Sequence, residues 1–218
     1  MAELKALFLN CTIKKSPEPS HTEALMRKIV DLYKPLGVES EIVRAVDHNI
    51  PFGITTDMGA GDEWPAILEK IVAADIFIMG MPIWFGVRSS VAQLVIERLD
   101  GTYNDGDPET GRFPLYNTVA GCVVTGNEDG AHAAAETTLF NLSHLGCFVP
   151  PNADCYWVGE AGPGPSYMEA GGDKHEYTNK TARYLAYNTA WLARLVKKHP
   201  IDTNLNELIA DAKRYASS

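Results

Sequence analysis

The sequence predicts an α/β fold, a doubly wound parallel sheet with helices on both faces. Two observations carry that expectation. Short apolar runs of strand length alternate about five times with longer stretches whose apolar residues recur at helical spacing. The clearest runs, residues 6–9, 76–82 and 119–124, are almost continuously apolar, as strands buried on both faces are. No internal repeat, low-complexity tract or linker interrupts the 218 residues, so one domain with a full core is expected.

Each element follows from local signals. Residues 6–9 make a first strand that ends at polar Asn10. Ser20 and Glu23 have the S-x-x-E spacing of a capping box. They open a helix whose inward face is Leu25, Met26, Ile29, Val30 and Tyr33, and which stops at Pro35 and Gly37. Residues 38–43 alternate, as in a strand near a sheet edge. An irregular stretch rich in Gly, Pro, Asp and Thr covers residues 45–61. Asp62 is the expected N-cap of a helix through Ile67, Leu68, Ile71 and Val72. After the third strand, 76–82, Ser89 or Ser90 caps a helix that turns Val91, Leu94, Val95 and Leu99 inward. The fourth strand, 119–124, runs into Thr125, Gly126 and Asn127, and a helix follows to about Gly146. Phe148 and Val149, together with residues 155–158, suggest a fifth strand. A long helix over 181–198 closes a domain spanning residues 1–200. Asn204 and Glu207 cap a small helix in the tail, 201–218.

Composition narrows the function classes. The formal net charge is −9, and the densest basic clusters are the pairs Lys14–Lys15 and Lys197–Lys198, so nucleic acid is not an expected partner. No apolar run approaches the roughly 18 residues of a membrane helix. No signal-peptide pattern opens the chain, and a cytoplasmic protein is expected. Cys11, Cys122, Cys147 and Cys155 form neither a C-x-x-C nor a Cys/His metal spacing. They read as small buried side chains in a reducing compartment, with no metal.

In a doubly wound sheet, ligands lie beyond the carboxyl ends of the strands, where the strand order switches. The loop after the first strand brings Thr12, Ser16, Ser20 and Thr22 hydroxyls and the lysine pair to a helix N-terminus. That suits a phosphate dianion, although a capped helix start with two solvated lysines explains the same residues. The loop has neither G-x-G-x-x-G nor G-x-x-x-x-G-K, which favours a monophosphate over a pyrophosphate. After the third strand, Trp84 and Phe85 stand together before Gly86. A flat apolar ligand packed on the loop explains the pair, with Gly86 letting backbone approach closely, and core plugging remains the other reading, though it explains one ring better than both. After the fourth strand, Thr125, Gly126, Asn127 and Gly130 make a tight polar turn, for which turn chemistry alone is also sufficient. His132 is either a proton donor or a cap or surface group.

Together, these three loops resemble those of the NAD(P)H-dependent FMN reductase and quinone reductase branch of the flavodoxin-like superfamily. Thr12, Lys14, Ser20, His21 and Thr22 stand at the matching places of that branch's G-S-x-R-x-x-S-x-T phosphate loop. Pro82, Ile83, Trp84, Phe85 and Gly86 are similar to its T-P-x-x-x-G signature, which packs on the isoalloxazine, with Met81 replacing the Thr. Thr125, Gly126, Asn127 and Gly130 resemble the loop at the ring's other edge. The resemblance spans roughly residues 4–160 and implies a flavodoxin-like five-stranded parallel sheet in the order 2-1-3-4-5, an FMN cofactor, NAD(P)H as electron donor and a homodimer. Two departures stand out: residues 17–19 lengthen the first loop, and residues 159–177 are an insertion outside the common pattern. That insertion reads equally as a lid over the flavin or as a dimer arm.

The implied activity passes hydride from NAD(P)H through FMN to a quinone, a free flavin or another small acceptor. The chemistry belongs to the flavin, and no catalytic side chain is required. Two alternatives stand beside it. A flavodoxin-type single-electron carrier is favoured by the acidity but opposed by the lysine pair and the length. Gly86 bears on it, since a flexible peptide near flavin N5 stabilises a one-electron state. A flavodoxin-like interaction module without flavin is the other, because fold does not guarantee function.

Overall fold

The computed structural model describes residues 4–216. Strands β1 (Leu4–Asn10), β2 (Val38–Arg44), β3 (Ile76–Trp84), β4 (Val87–Arg88), β5 (Val119–Gly126) and β6 (Asp154–Val158) are interleaved with helices. These are α1 (His21–Tyr33), α2 (Trp64–Val72), α3 (Ser90–Asp100), α4 (Ala131–His144), α5 (Glu176–Lys198) and α6 (Leu205–Ala216). The two-residue β4 pairs antiparallel with the end of β3 and lies off the main path. The other five strands are parallel, in the order β2-β1-β3-β5-β6, which is the expected 2-1-3-4-5 when the long strands alone are counted. The order switches between β1 and β3. Their register sets Asn10 opposite Gly80, Pro82 opposite Thr125 and Thr125 opposite Trp157, which brings the loops of interest to one edge.

Alternation along the strands divides the core. Leu7, Leu9, Phe77 and Met79 face α2, α3 and α4, whereas Ala6, Phe8, Ile76 and Ile78 face α1 and α5. Both faces are covered, which is why these strands read as apolar runs. All four cysteines are buried and free, as expected.

Several local expectations are corrected. The capping box closes on one side only. Ser20 Oγ accepts from the Glu23 amide at 3.1 Å, but the Glu23 carboxylate turns to Arg44 (2.5 Å), Arg27 (2.6 Å) and the Asn10 amide (3.2 Å). Charge-assisted bonds to two guanidiniums outcompete the reach back to the cap. Asp62 is not the N-cap of α2, a position that falls to Glu63. Asp62 Oδ1 accepts from Trp64 N, while Oδ2 pairs with Arg98 at 2.5 Å, both side chains essentially inaccessible. Of the four apolar residues that mark α2, Ile67, Leu68 and Ile71 are buried and Val72 is exposed. The fifth strand begins only at Asp154. Phe148 makes one isolated bridge to Val119, and Pro150 and Pro151, lacking N–H groups, cannot extend it. Helix α5 starts at Glu176 rather than 181, with His175 as its cap, accepting from Thr178 N at 3.3 Å. In the tail, Asn204 caps α6 as expected, and Leu205 N donates to Thr110 O at 2.7 Å. Among the described residues, no helix is long and apolar enough to cross a membrane, and no cluster of His, Cys, Asp or Glu could hold a metal.

Candidate flavin site

At the carboxyl edge of the sheet, a cavity of about 730 Å³ runs from the start of α1 to the end of β3. The first loop is stitched at its base by Asn10. Its Oδ1 accepts from Thr12 N (3.1 Å), and its Nδ2 donates to Ser20 Oγ (3.3 Å) and Glu23. Thr12, Lys14, His21 and Thr22 line the cavity. Thr22 Oγ1 lies 2.7 Å from Thr125 Oγ1, so the first and third loops meet there through buried hydroxyls. The Lys14 side chain is exposed and makes no ion pair among the described residues. The lengthening at residues 17–19 does not crowd this end. Ser16 is tied to Asp47 by its amide (2.9 Å) and hydroxyl (2.5 Å), and Arg44 donates to Glu18 O, drawing the excess chain toward β2. Ser20 is buried as the helix cap and does not line the cavity. Ser20→Ala is therefore expected to remove about 1 kcal/mol of folding stability, read by denaturation, with little change in flavin affinity.

The aromatic pair separates. Pro82, Ile83 and Trp84 line the cavity, but Phe85 points away and is 93% exposed. Phe85 and Gly86 are the centre of the tight β3–β4 turn, with φ of 48° and 80°. Gly86 and Gly130 do not line the cavity either. Gly130, at φ 122°, packs so closely on the turn that a Cβ there would lie 2.3 Å from Gly86 O. Thr125, Gly126 and Asn127 do line it. His132 lies outside the cavity wall, with Nε2 3.1 Å from the Tyr156 hydroxyl.

Sequence reasoning missed Ile13, Glu128 and Trp157 in the wall. It also left open the insertion, of which Gly162, Pro163, Gly164, Ser166 and Tyr167 complete the cavity. Asn127 binds this segment over the site. Its Nδ2 donates to Pro165 O (2.9 Å), its Oδ1 accepts from Ser166 Oγ (3.0 Å), and its carbonyl accepts from Gly162 N (3.0 Å). Tyr167 packs edge-on against Trp157, with ring centroids 5.7 Å apart. Its hydroxyl is buried with no hydrogen-bond partner among the described residues, and burial pushes the phenol up to about 12, so it stays protonated at neutral pH. Tyr167 also borders a second cavity of about 660 Å³ on the outer side of α1. There Lys28 is already engaged by Asp173 O and Asn179 Oδ1, and Arg183 by Asn179 O.

His21 links α1 to the inserted segment, its Nδ1 accepting from Met168 N at 3.3 Å and its Nε2 lying 3.7 Å from Glu169. Burial holds its imidazole below the ordinary 6.5, with Glu169 opposing and Lys14 reinforcing the shift. A depressed folded pKa means that the contact is fully present above 6.5 and lost as pH falls through the folded value. Protonation of Nδ1 removes the acceptor for Met168. Amide exchange over residues 166–170, corrected for intrinsic rate, is expected to accelerate as pH drops from 7 to 5. It should lose that dependence in His21→Gln.

A parallel sheet of this order, with an elongated cavity across its switch point, defines a flavodoxin-like protein. The chain belongs to the NADPH-dependent FMN reductase family, whose profile matches residues 4–161. It is 45% identical to the 8-demethyl-8-aminoriboflavin-5'-phosphate synthase of Streptomyces davaonensis, over 98% of this chain and 86% of that protein. The crystal structure of RosB with the bound intermediate 8-demethyl-8-formylriboflavin-5'-phosphate superposes with a TM-score of 0.90. It is 45% identical, over 99% of this chain and 88% of that one. A flavodoxin from Streptococcus pneumoniae, 15% identical with a TM-score of 0.52 over 86% of this chain and 97% of its own, shares the fold alone. The chain is accordingly an enzyme of a family that binds FMN and uses NAD(P)H.

The residues present fit that cofactor. The cavity has the volume of a small-ligand site. One end offers hydroxyls and a cation at a helix N-terminus, the other an indole and backbone, and the buried Tyr167 hydroxyl lacks a partner.

Proposed function

We propose that this chain holds FMN with its phosphate at Thr12, Lys14, His21 and Thr22 and its ring between residues 82–84 and 125–127. Bound there, the flavin supplies two-electron transfer from a nicotinamide donor to a small acceptor such as a quinone or a free flavin. The observation that carries this reading is the polarity of this cavity, cationic and hydroxylic at the α1 end and walled by Trp84 and Trp157 elsewhere. Thr22 and the first amides of α1 bind the phosphate, and Lys14 offsets its charge. Trp84 packs on the ring, and Asn127 both contacts its polar edge and tethers the covering segment. Residues 162–167 exclude water from the site. A homodimer at a cytoplasmic location completes the proposal. Its contact face is the exposed stripe of Tyr184, Tyr187, Trp191 and Leu195 along α5.

A second reading takes the flavin as substrate rather than cofactor. It is favoured by the 45% identical relative, which is named for the synthesis of a riboflavin phosphate altered at position 8. One experiment separates the two. The protein is incubated with FMN either anaerobically with NADPH and a quinone, or in air with an amino donor, and the mass of the extracted flavin is measured. Quinone consumed with unchanged flavin mass in the first mixture supports the reductase. A changed flavin mass in the second mixture, where dioxygen and the amine supply the oxidant and the nitrogen, supports the second reading.

A further inference from the structure

The turn that joins β3 to β4 follows directly on Trp84, which lines the cavity, and a side chain of the third loop takes both of its central backbone donors. Trp84 and Val87 pair across the turn, and Phe85 and Gly86 adopt the left-handed conformations of a type I′ hairpin. Both central N–H groups donate to one carboxylate, Phe85 N to Glu128 Oε1 and Gly86 N to Glu128 Oε2, each at 3.1 Å. Phe85 is poorly suited to positive φ, and its ring, almost wholly exposed, gains no packing in return. The turn is therefore held from outside, by Glu128 in front and by the close approach of Gly130 behind. Glu128 itself lines the cavity.

We infer that Glu128 is a positioning residue that locks this turn and withholds its peptide from the flavin, setting the site for two-electron rather than one-electron chemistry. The inference rests on the FMN reading proposed above. Were bound FMN to take up one electron and one proton, the hydrogen added at N5 would be supported by a peptide able to turn its carbonyl toward it. For the Phe85–Gly86 peptide to rotate, Gly86 N must leave the Glu128 carboxylate, and the Gly86 side of the turn must move against Gly130. Without that rotation the protonated one-electron state lacks a carbonyl at N5, and the flavodoxin-type carrier is disfavoured on a specific contact.

The test compares wild type, Glu128→Ala and Glu128→Gln as full-length proteins, first without and then with FMN. Without flavin, amide exchange at Phe85 and Gly86 is expected to be slow in wild type and at least about tenfold faster in Glu128→Ala. Glu128→Gln, which keeps one acceptor oxygen, is expected to fall between. With FMN bound, anaerobic photoreduction of wild type is expected to pass to the fully reduced spectrum with no long-wavelength radical band, and Glu128→Ala to show one. Fast exchange at both amides in wild type overturns the lock. Equal radical yield in wild type and Glu128→Ala, both loaded with FMN, overturns its redox consequence. A wild-type protein that takes up no FMN overturns the underlying reading and this consequence with it, while the exchange data still report on the lock alone. If Glu128→Ala fails to fold, Glu128→Gln carries both comparisons.

Discussion

Arg98→Ala is expected to lower folding stability by about 3–5 kcal/mol, the range for removing one partner of a buried ion pair. Arg98 is fully buried on α3, and its guanidinium donates to Asp62 Oδ2 (2.5 Å), Thr55 O (3.0 Å) and Pro51 O (2.9 Å). It also lies over the Trp64 ring, 5.7 Å from the centroid. One side chain thereby closes the irregular segment between β2 and α2 onto the sheet. Its removal leaves the inaccessible Asp62 carboxylate and the Thr55 and Pro51 carbonyls without their donor. The exposed pair Arg214–Asp211 provides the contrast, since breaking it is expected to change stability by less than about 1 kcal/mol. Urea denaturation checks both. The acid side follows the same contact. Burial, the largest single influence, raises Asp62, but the hydrogen bonds from Arg98, Met58 N and Trp64 N and the Arg98 charge together outweigh it and hold the carboxyl below its ordinary 3.8. The stabilisation is thus present above that value and lost as pH falls through the folded pKa. The Arg98 variant should lose this part of the acid dependence.

The second large effect belongs to the end of the cavity where the phosphate is proposed to lie. Lys14→Ala is expected to weaken FMN binding by about 10-fold and Thr22→Val by about 10- to 100-fold, as charge-assisted hydrogen bonds are lost. Riboflavin, which lacks the phosphate, should change little with Lys14→Ala. Lys14 is the cleaner probe, being exposed and without an ion pair among the described residues. Thr22 is buried and bonded to Thr125, so Thr22→Val also strands that hydroxyl. Thr22→Ser, which keeps the oxygen, is expected to retain most of the affinity. Parallel flavin fluorescence titrations with FMN and riboflavin measure the discrimination. Equal losses for both ligands would mean that the phosphate lies elsewhere.

The parts of this fold that were legible in the sequence are those whose signals are local. β1, β3 and β5 are buried on both faces, so their apolar runs and the ligand-bearing loops at their ends stood out before any topology was known. The first loop was recognised by hydroxyls and lysines grouped at a helix start, and four of its five predicted residues line the cavity. What sequence reasoning missed depends on partners far along the chain. Arg98 stands one turn beyond Leu94 on the inward side of α3, a charged residue where an apolar one is expected. That oddity is visible, but its partner Asp62 lies 36 residues earlier and was read as a helix cap. Trp84 and Phe85, as adjacent aromatics, look alike in sequence. Only the backbone conformation of the turn shows that one ring meets the cavity and the other does not. The roles of Glu128 and of the insertion arise from contacts across 42 and 38 residues, Glu128 to Gly86 and Asn127 to Pro165, which no spacing rule anticipates.

The central claim, one FMN in the cavity at the carboxyl edge of the sheet, is tested most directly by the visible spectrum of the purified full-length protein. The protein is incubated with excess FMN, desalted and then treated anaerobically with NADPH. The account predicts that about one FMN per chain is retained, that its absorption bleaches on adding NADPH, and that Lys14→Ala retains markedly less. Protein that emerges without flavin, or that retains FMN and riboflavin equally well, would contradict it.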